Sequence, residues 1–458
     1  MTVSMDLLAA ASATSGRLAG DNVSFCGVST DSRTTAPGEL FIALRGENFD
    51  GHAYLAAAMA RGAVAAMVAD DAAAGLPALD IPFVHVADTR AGLAALAAAW
   101  RSRFVLPLIA VTGSNGKTTT KEMIASILNT AFAGAVLSTQ GNYNNDIGLP
   151  LTLLRLDASH RAAIIEMGMN HPGEIAYLAA IARPTVAVVT NAQRAHLAGM
   201  GSLEAIASEK GSVFSGLDEN GIAVFNADEH SAGLWRAQSR GRRVMTFADH
   251  GPADVTGECH LHGLESRLSV LAPAGRFDVA LALPGQHNAR NALAAATACL
   301  AAGVALAAVQ TGLARFRGLK GRLQQRAAMH GAVLLDDTYN ANPDSVCAGI
   351  DVLAATIGKK VLVLGDMGEI GEMSAQFHDE IGGYAKSQGI DRLFALGEAS
   401  ALAAHNFGAG GEHYRNIEKL INALTAELTG ETTILVKGSR FMRMERVADA
   451  ISAPPGAA

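Results

Sequence analysis

A chain of 458 residues, half of them hydrophobic and 17% charged, has material for several packed cores, on the order of three domains at about 150 residues each. The net charge of −7 is spread along the chain without a basic block. That argues against a dedicated nucleic-acid surface but not against a nucleotide site, which needs only local positive groups. Cys26, Cys259, Cys299 and Cys347 are scattered, so neither a disulfide framework nor a zinc site is expected, and a reducing cytoplasm fits. Met1 to Leu18 lacks a basic stretch followed by a long apolar core, and no run approaches the roughly 18 apolar residues of a membrane span. Neither a secretion signal nor a membrane segment is expected.

The first segment, 1–104, reads as a small α/β unit. Val28-Ser29-Thr30-Asp31-Ser32-Arg33 precedes a Pro-Gly turn and a strand through Leu40 to Leu44. A polar loop, Gly46 to His52, a helix-like Ala53 to Arg61 and an apolar Ala63 to Val68 follow. Arg33, near hydroxyls, suits either a phosphate or a surface salt bridge, and spacing alone favours the salt bridge. Leu93 to Trp100 is an alanine-rich helix leading onward.

The second segment, 105–317, is built around Gly113-Ser114-Asn115-Gly116-Lys117-Thr118-Thr119. An apolar run, Val105 to Val111, leads in, and the helix-compatible Lys121 to Leu128 leads out. A strand, a glycine turn and a helix start bring backbone N–H groups to one point, where an anion can sit. Lys117 adds a charge that reaches outer phosphates, and Thr118 a hydroxyl suited to Mg²⁺. The usual P-loop has its first glycine where Val111 stands, so this is a shortened variant beginning at Gly113. A plain strand-to-helix turn is disfavoured, because strand, Gly-Lys-Thr and helix occur in order.

Ala135 to Thr139 is the next strand, and its loop carries Asn142, Asn144, Asn145 and Asp146, residues that suit ligand contacts or turns. The strand Ala162 to Ile165 ends at Glu166, where an α/β sheet presents a metal ligand. Pro184 to Asn191 is a further strand, with His196 in the following loop, and Ser202 to Phe214 is a helix carrying Lys210. Gly221 to Asn226 is a strand, and short β-like runs from Val244 to Pro284 read as an antiparallel addition. His287, Asn288 and Asn291 open a helix to about Ala302. Asn288 and Asn291 share a face suited to a nucleobase edge or to capping. The alternation of strand and helix predicts a mostly parallel sheet.

The third segment, 318–458, begins at Gly318-Leu319-Lys320-Gly321-Arg322, a candidate hinge. Ala332 to Leu335 is a strand ending in Asp336-Asp337-Thr338-Tyr339-Asn340-Ala341-Asn342-Pro343, and a helix runs to Ile357. The strand Lys360 to Leu364 ends in Gly365-Asp366-Met367-Gly368-Glu369. Further alternation follows to Lys437-Gly438-Ser439-Arg440, which is expected to start the last helix. This is a doubly wound sheet of Rossmann type without G-x-G-x-x-G, so no dinucleotide is expected.

These blocks, in this order, resemble the Mur ligase family of ATP-dependent amide-bond ligases. The stretches Asn142 to Gly148, Tyr339 to Pro343 and Gly365 to Glu369 resemble the members that add D-alanyl-D-alanine, and the Asp-Asn-Pro-Arg run of a diaminopimelate-adding sibling is absent. Gln193 and Arg194 stand where smaller residues are expected. The resemblance implies an α/β protein of three domains: a small UDP-binding unit, a P-loop ATPase-like centre with a mostly parallel sheet, and a Rossmann-like C-terminal unit. It implies ATP and Mg²⁺ as cofactors. UDP-N-acetylmuramoyl-tripeptide and D-alanyl-D-alanine are the implied substrates of a cytoplasmic monomer. Lys117, His196 and Lys210 are the implied catalytic residues. ATP would meet Gly113, Ser114, Asn115, Gly116, Lys117, Thr118, Thr119, His287, Asn288, Asn291, Arg322, Asp337 and Tyr339. Thr118 and Glu166 would face one Mg²⁺, and His196 and a carbamylated Lys210 a second. Asp31, Ser32 and Arg33 would contact the UDP end. Asn142, Asn145, Asp146, Asn340 and Asn342 complete the implied substrate contacts. Two alternatives stay open: another amide ligase of the family, third-residue-adding or folylpolyglutamate-type, and a P-loop protein that binds ATP without ligation.

Overall fold

Beside a small antiparallel pair of Ser4–Asp6 with Ser24–Cys26, three larger β-sheets form in succession along the chain, and the computed structural model describes residues 3–75 and 80–453 of it. In the first sheet Val28–Ser29, Leu40–Ile42, Ala65–Ala69 and Phe83–Val86 run parallel, with Arg17–Ala19 antiparallel at one edge. The helix Thr89–Arg101 then leaves this sheet, with the Asp88 side chain accepting the Ala91 N–H at its start. It ties the first unit to the second: the Trp100 indole N–H donates to the Leu156 carbonyl at 2.9 Å, and Arg101 donates to the Ala182 carbonyl at 3.1 Å. Burial of Leu93, Leu96 and Ala97 on the same helix seals the joint.

The second sheet has nine strands. Its parallel part is ordered Val136–Ser138, Ala162–Glu166, Leu108–Thr112, Val186–Val189, Ile222–Asn226 and Arg243–Ala248. The central strands are buried on both faces, as their uninterrupted apolar runs require. Leu108–Thr112 begins later than its apolar run, because Val105 is fully exposed and Pro107 has no N–H for the ladder. Chain order reverses at this strand: the next strands lie on one flank and Val186–Val189 on the other. Such a switch point opens a crevice at the strand's carboxyl end.

The run from Val244 to Pro284 is antiparallel only in part. Arg243–Ala248 pairs parallel with Ile222–Asn226, and Val255–His262 starts parallel to Arg243–Ala248. Val255–His262, Glu265–Ala272 and Gly275–Leu281 then form the antiparallel meander. A parallel pairing needs a crossover, and the short helix Ala232–Gln238 supplies it.

The third sheet is ordered Gln324–Ala327, Val333–Asp337, Thr432–Lys437, Lys359–Gly365, Arg392–Leu396 and Gly411–Tyr414, antiparallel only at the first pair. Separate apolar clusters cover its two faces. The last helix, Glu445–Ile451, starts later than expected, because a 3-10 turn at Arg440–Met442 and a left-handed Arg443 (φ 51°) intervene. The chain is therefore an α/β protein of three units. Among the described residues no helix is long and apolar enough to cross a membrane.

Candidate active site

The phosphate-binding turn is shaped by what crowds it. A Cβ at Gly113 would lie 1.8 Å from the Thr190 hydroxyl, and one at Gly116 would lie 2.1 Å from Asn291 Oδ1. Gly116 is also left-handed, at φ 79°, and starts the helix Lys117–Ala131 with no side chain capping it. The first-turn N–H groups of this helix are thus free for an anion. The neighbouring loop holds the turn in register. Asn191 Oδ1 accepts the Asn115 N–H at 2.8 Å, Asn191 Nδ2 donates to the Asn115 carbonyl at 3.0 Å, and Ser114 Oγ accepts the Gln193 N–H at 2.9 Å. Lys117 Nζ folds back to donate to the Gly113 and Ser114 carbonyls at 2.7 and 3.2 Å. Burial pushes its ammonium down, against the pull of the Glu166 carboxylate.

The turn opens into a cavity of about 960 Å³. Loops after the strands Leu108–Thr112, Ala162–Glu166 and Val186–Val189 form one wall. Loops after Val333–Asp337 and Lys359–Gly365 form the facing wall. Asp88 and Arg90 reach it from the first unit. Of the residues expected from sequence, Ser114 to Thr119, Asn145, Asp146, Glu166, His196, Arg322, Tyr339, Asn340 and Asn342 line this cavity. Arg322 lies 4.0 Å over the Tyr339 ring and 3.5 Å from the Thr118 hydroxyl, which fixes its charge beside the phosphate turn.

Glu166 is 2% exposed. Its Oε1 accepts from Asn144 Nδ2 at 2.8 Å, while its Oε2 is buried without a partner. An orphaned carboxylate oxygen costs stability unless something binds it. Together with the Thr118 hydroxyl, which lines the same cavity, it offers hard oxygen ligands of the kind Mg²⁺ takes along with phosphate oxygens. Among the described residues no three His, Cys, Asp or Glu side chains converge, so a metal here would complete its shell from the nucleotide and water.

His196 is left-handed at φ 59° and lies 3.1 Å from Glu369 Oε2, and Glu369 is itself left-handed at φ 61°. The hydrogen bond from His196 holds the Glu369 carboxyl below its usual range despite burial. Lys210 is 1% exposed, and its side chain makes no hydrogen bond or ion pair among the described residues. Burial, and then the Lys117 charge, hold its amine well below the ordinary lysine range.

Other expected residues lie off the cavity wall. Arg33 and Asp31 pair with each other at 2.7 Å on the surface, the salt bridge that spacing favoured, and Ser32 lies between them. Asn142 is exposed in its turn. Asn288, Asn291 and Thr120 form a buried chain behind the phosphate turn, with Asn291 Nδ2 donating to Asn288 Oδ1 at 3.2 Å. Burial pushes the adjoining His287 down to about 4. Both oxygens of Asp337 are engaged, by Lys437 Nζ at 2.5 Å and the Leu323 N–H at 3.1 Å.

Several contacts at the site were not expected from the sequence. Asn144 orients Glu166, and Glu369 meets His196 from the third unit. Arg194, at an unexpectedly large position, binds Asp344 and Glu380 across the cavity edge. Burial works against its charge, but the bonds to the two carboxylates outweigh that and hold the guanidinium above the ordinary arginine range. The Asn115 and Asn342 amides exchange hydrogen bonds of 3.2 and 2.8 Å across the same gap.

Comparison with known proteins accounts for all three units. The patterns described as "Mur ligase family, catalytic domain", "Mur ligase middle domain" and "Mur ligase, glutamate ligase domain" match residues 24–101, 111–299 and 321–440. The UDP-N-acetylmuramoyl-tripeptide–D-alanyl-D-alanine ligase of Escherichia coli (strain K12) is 42% identical over 440 residues, 95% of this chain and 96% of that one. The crystal structure of MurF from Acinetobacter baumannii superposes with a TM-score of 0.91 at 33% identity, covering 98% of this chain and 99% of that one. The MurF ligase of Thermotoga maritima in complex with ADP gives a TM-score of 0.81 at 27% identity over 93% and 96%.

Proposed function

The chain belongs to the Mur ligase family, and from that premise we propose that it joins D-alanyl-D-alanine to UDP-N-acetylmuramoyl-tripeptide, coupled to cleavage of ATP to ADP and phosphate. The observation that carries this reading is the cavity where a phosphate-binding turn and Glu166 face Arg322 and the strand ends of a second α/β sheet. A carboxylate is a poor electrophile toward an amine. Transfer of the γ-phosphoryl group to it gives an acyl phosphate and ADP. The dipeptide amine then attacks the acyl carbon, loses a proton, and expels phosphate from the tetrahedral intermediate.

Each step assigns work to side chains of this chain. Lys117 turns from its own loop carbonyls to the β- and γ-phosphates, and Arg322 and the free N–H groups of the helix start spread charge on the transferring phosphoryl. Thr118 and Glu166 would hold Mg²⁺, which offsets the same charge. Lys210, disposed by burial and by Lys117 to lose its proton, suits reaction with CO₂ to a carbamate that joins His196 as a second ligand set. Asn145, Asp146, Asn340 and Asn342 contact the substrates from opposite walls, and Asp31, Ser32 and Arg33 bind the UDP end from the first unit. His287, Asn288, Asn291 and Asp337 take the nucleoside side of ATP. We place the domain limits at 1–104, 105–317 and 318–458, with Gly318 to Gly321 as the hinge. We propose a monomer, and ATP and nucleotide-linked substrates support a cytoplasmic site.

A substrate panel tests the reading. ATP-dependent phosphate release requires both UDP-muramoyl-tripeptide and D-alanyl-D-alanine. A stronger response to a single amino acid, or to a folate with glutamate, would assign the chain to another branch.

A further inference from the structure

Arg194 is set in a loop already committed to the phosphate turn. On one side of it, Asn191 and Gln193 bond to Asn115 and Ser114. On the other, His196 meets Glu369. The Arg194 side chain itself makes no hydrogen bond inside its own unit among the described residues. It crosses to the C-terminal unit, where Nε and Nη2 donate to Asp344 Oδ1 at 2.9 and 2.7 Å, and Nη1 donates to Glu380 Oε1 and Oε2 at 2.9 and 3.0 Å. The Arg194 backbone N–H donates to Asp344 Oδ2 at 2.7 Å. The guanidinium also lies 5.2 Å over the Phe377 ring.

This contact differs from an ordinary surface ion pair, which is worth little. Arg194 and Asp344 are 23% and 24% exposed, so water is largely excluded from the pair. The fork holds two carboxylates on two helices, Pro343–Ala354 and Ser374–Ser387, and neither carboxylate accepts another hydrogen bond among the described residues. Asp344 stands in the first helical turn, where the backbone dipole favours an anion. Asn342, which caps the same helix, exchanges amide bonds with Asn115 of the phosphate turn. One helix start therefore grips both the turn and the loop that shapes it.

We propose that Arg194 is a positioning residue for ligation, latching the C-terminal unit onto the phosphate-binding side of the cavity so that closure sets the geometry of the phosphate turn. This rests on the ligase reading, in which the dipeptide enters between those two walls. Loss of the latch lowers the closed population. The apparent KM for the dipeptide rises by the same factor, while saturating dipeptide draws the enzyme closed and spares kcat.

The test compares the wild-type chain with Arg194→Ala, Arg194→Lys, Glu380→Ala and the Arg194→Ala/Glu380→Ala double variant. Small-angle X-ray scattering without ligands is read beside steady-state kinetics with D-alanyl-D-alanine varied at saturating ATP and UDP-muramoyl-tripeptide. Arg194→Ala should enlarge the radius of gyration and raise the dipeptide KM by about tenfold, with kcat changed less than about twofold. Arg194→Lys should recover part of the KM, since it keeps the charge but not the fork. Glu380→Ala should move KM in the same direction, and the double variant should be no worse than Arg194→Ala. A wild-type radius in Arg194→Ala, a loss confined to kcat, or a wild-type KM in Glu380→Ala would overturn the latch. Scattering reads the latch whether or not the chain ligates. A wild-type protein inert toward D-alanyl-D-alanine would instead count against the ligase reading alone.

Discussion

Replacing Glu166 with glutamine separates stability from function in opposite directions. The buried Oε2 has no partner, and leaving a buried polar group unpaired costs about 1–3 kcal/mol, more when it is charged. Glutamine keeps the bond accepted from Asn144 through its own carbonyl, and it removes the charge. Its amide is still unpaired and Lys117 loses the pull of the carboxylate, so only part of the penalty is relieved, on the order of 1 kcal/mol. For a unit of about 200 residues that raises the melting temperature by roughly 2–4 °C. The same change removes the anionic ligand from the phosphate site, and turnover should fall by about 100- to 1,000-fold. Thermal unfolding without nucleotide, then with Mg-ADP, reads both effects. Nucleotide at a hundredfold over its Kd stabilises a binding-competent protein by about 2.7 kcal/mol, and most of that shift should vanish in Glu166→Gln. A variant that melts earlier than wild type, keeps the Mg-ADP shift and keeps its turnover would refute the reasoning from the orphaned oxygen.

Three other predictions follow from the same site. Lys117→Ala should retain its circular dichroism spectrum but lose ATP-dependent phosphate release by about a thousandfold, and near-normal release would remove Lys117 from phosphoryl transfer. Lys210→Ala should be inactive and regain part of its activity with added formate or acetate, and full activity without any added anion would rule out a carbamate. His287 ionises near 4 in the folded chain against 6.5 as a free side chain, so the unfolded chain takes up the proton first as pH falls. The stability of wild type relative to His287→Gln is therefore full above pH 6.5 and declines toward pH 4, by up to about 3 kcal/mol in all, as urea unfolding at stepped pH would read. A difference that stays flat across that window would show that burial does not disfavour the imidazolium.

The local parts of the site were legible in the chain. A strand, a glycine turn and Lys117-Thr118 are contiguous, so their geometry follows from neighbouring residues alone, and Glu166 at a strand end lands beside them. Contacts between distant segments were not. Arg194 and Asp344 are 150 residues apart, and nothing local marks them as partners. Asp337 and Lys437 are 100 residues apart, and nothing local shows that a carboxylate buried at the end of Val333–Asp337 takes this lysine as its partner. The short helices Gly148–Leu153 and Ala232–Gln238 have too few turns to show a period, and without the second the parallel pairing of Arg243–Ala248 could not be read.

The most direct test of the chemistry follows one oxygen atom. UDP-muramoyl-tripeptide carrying ¹⁸O in the reacting carboxylate is incubated with ATP, Mg²⁺, D-alanyl-D-alanine and the enzyme, and the released phosphate is weighed by mass spectrometry. If the cavity activates the carboxylate by phosphoryl transfer, one carboxylate oxygen leaves with each phosphate, so the label appears there in proportion to the pentapeptide formed. Phosphate free of label, formed alongside the pentapeptide, would contradict an acyl phosphate.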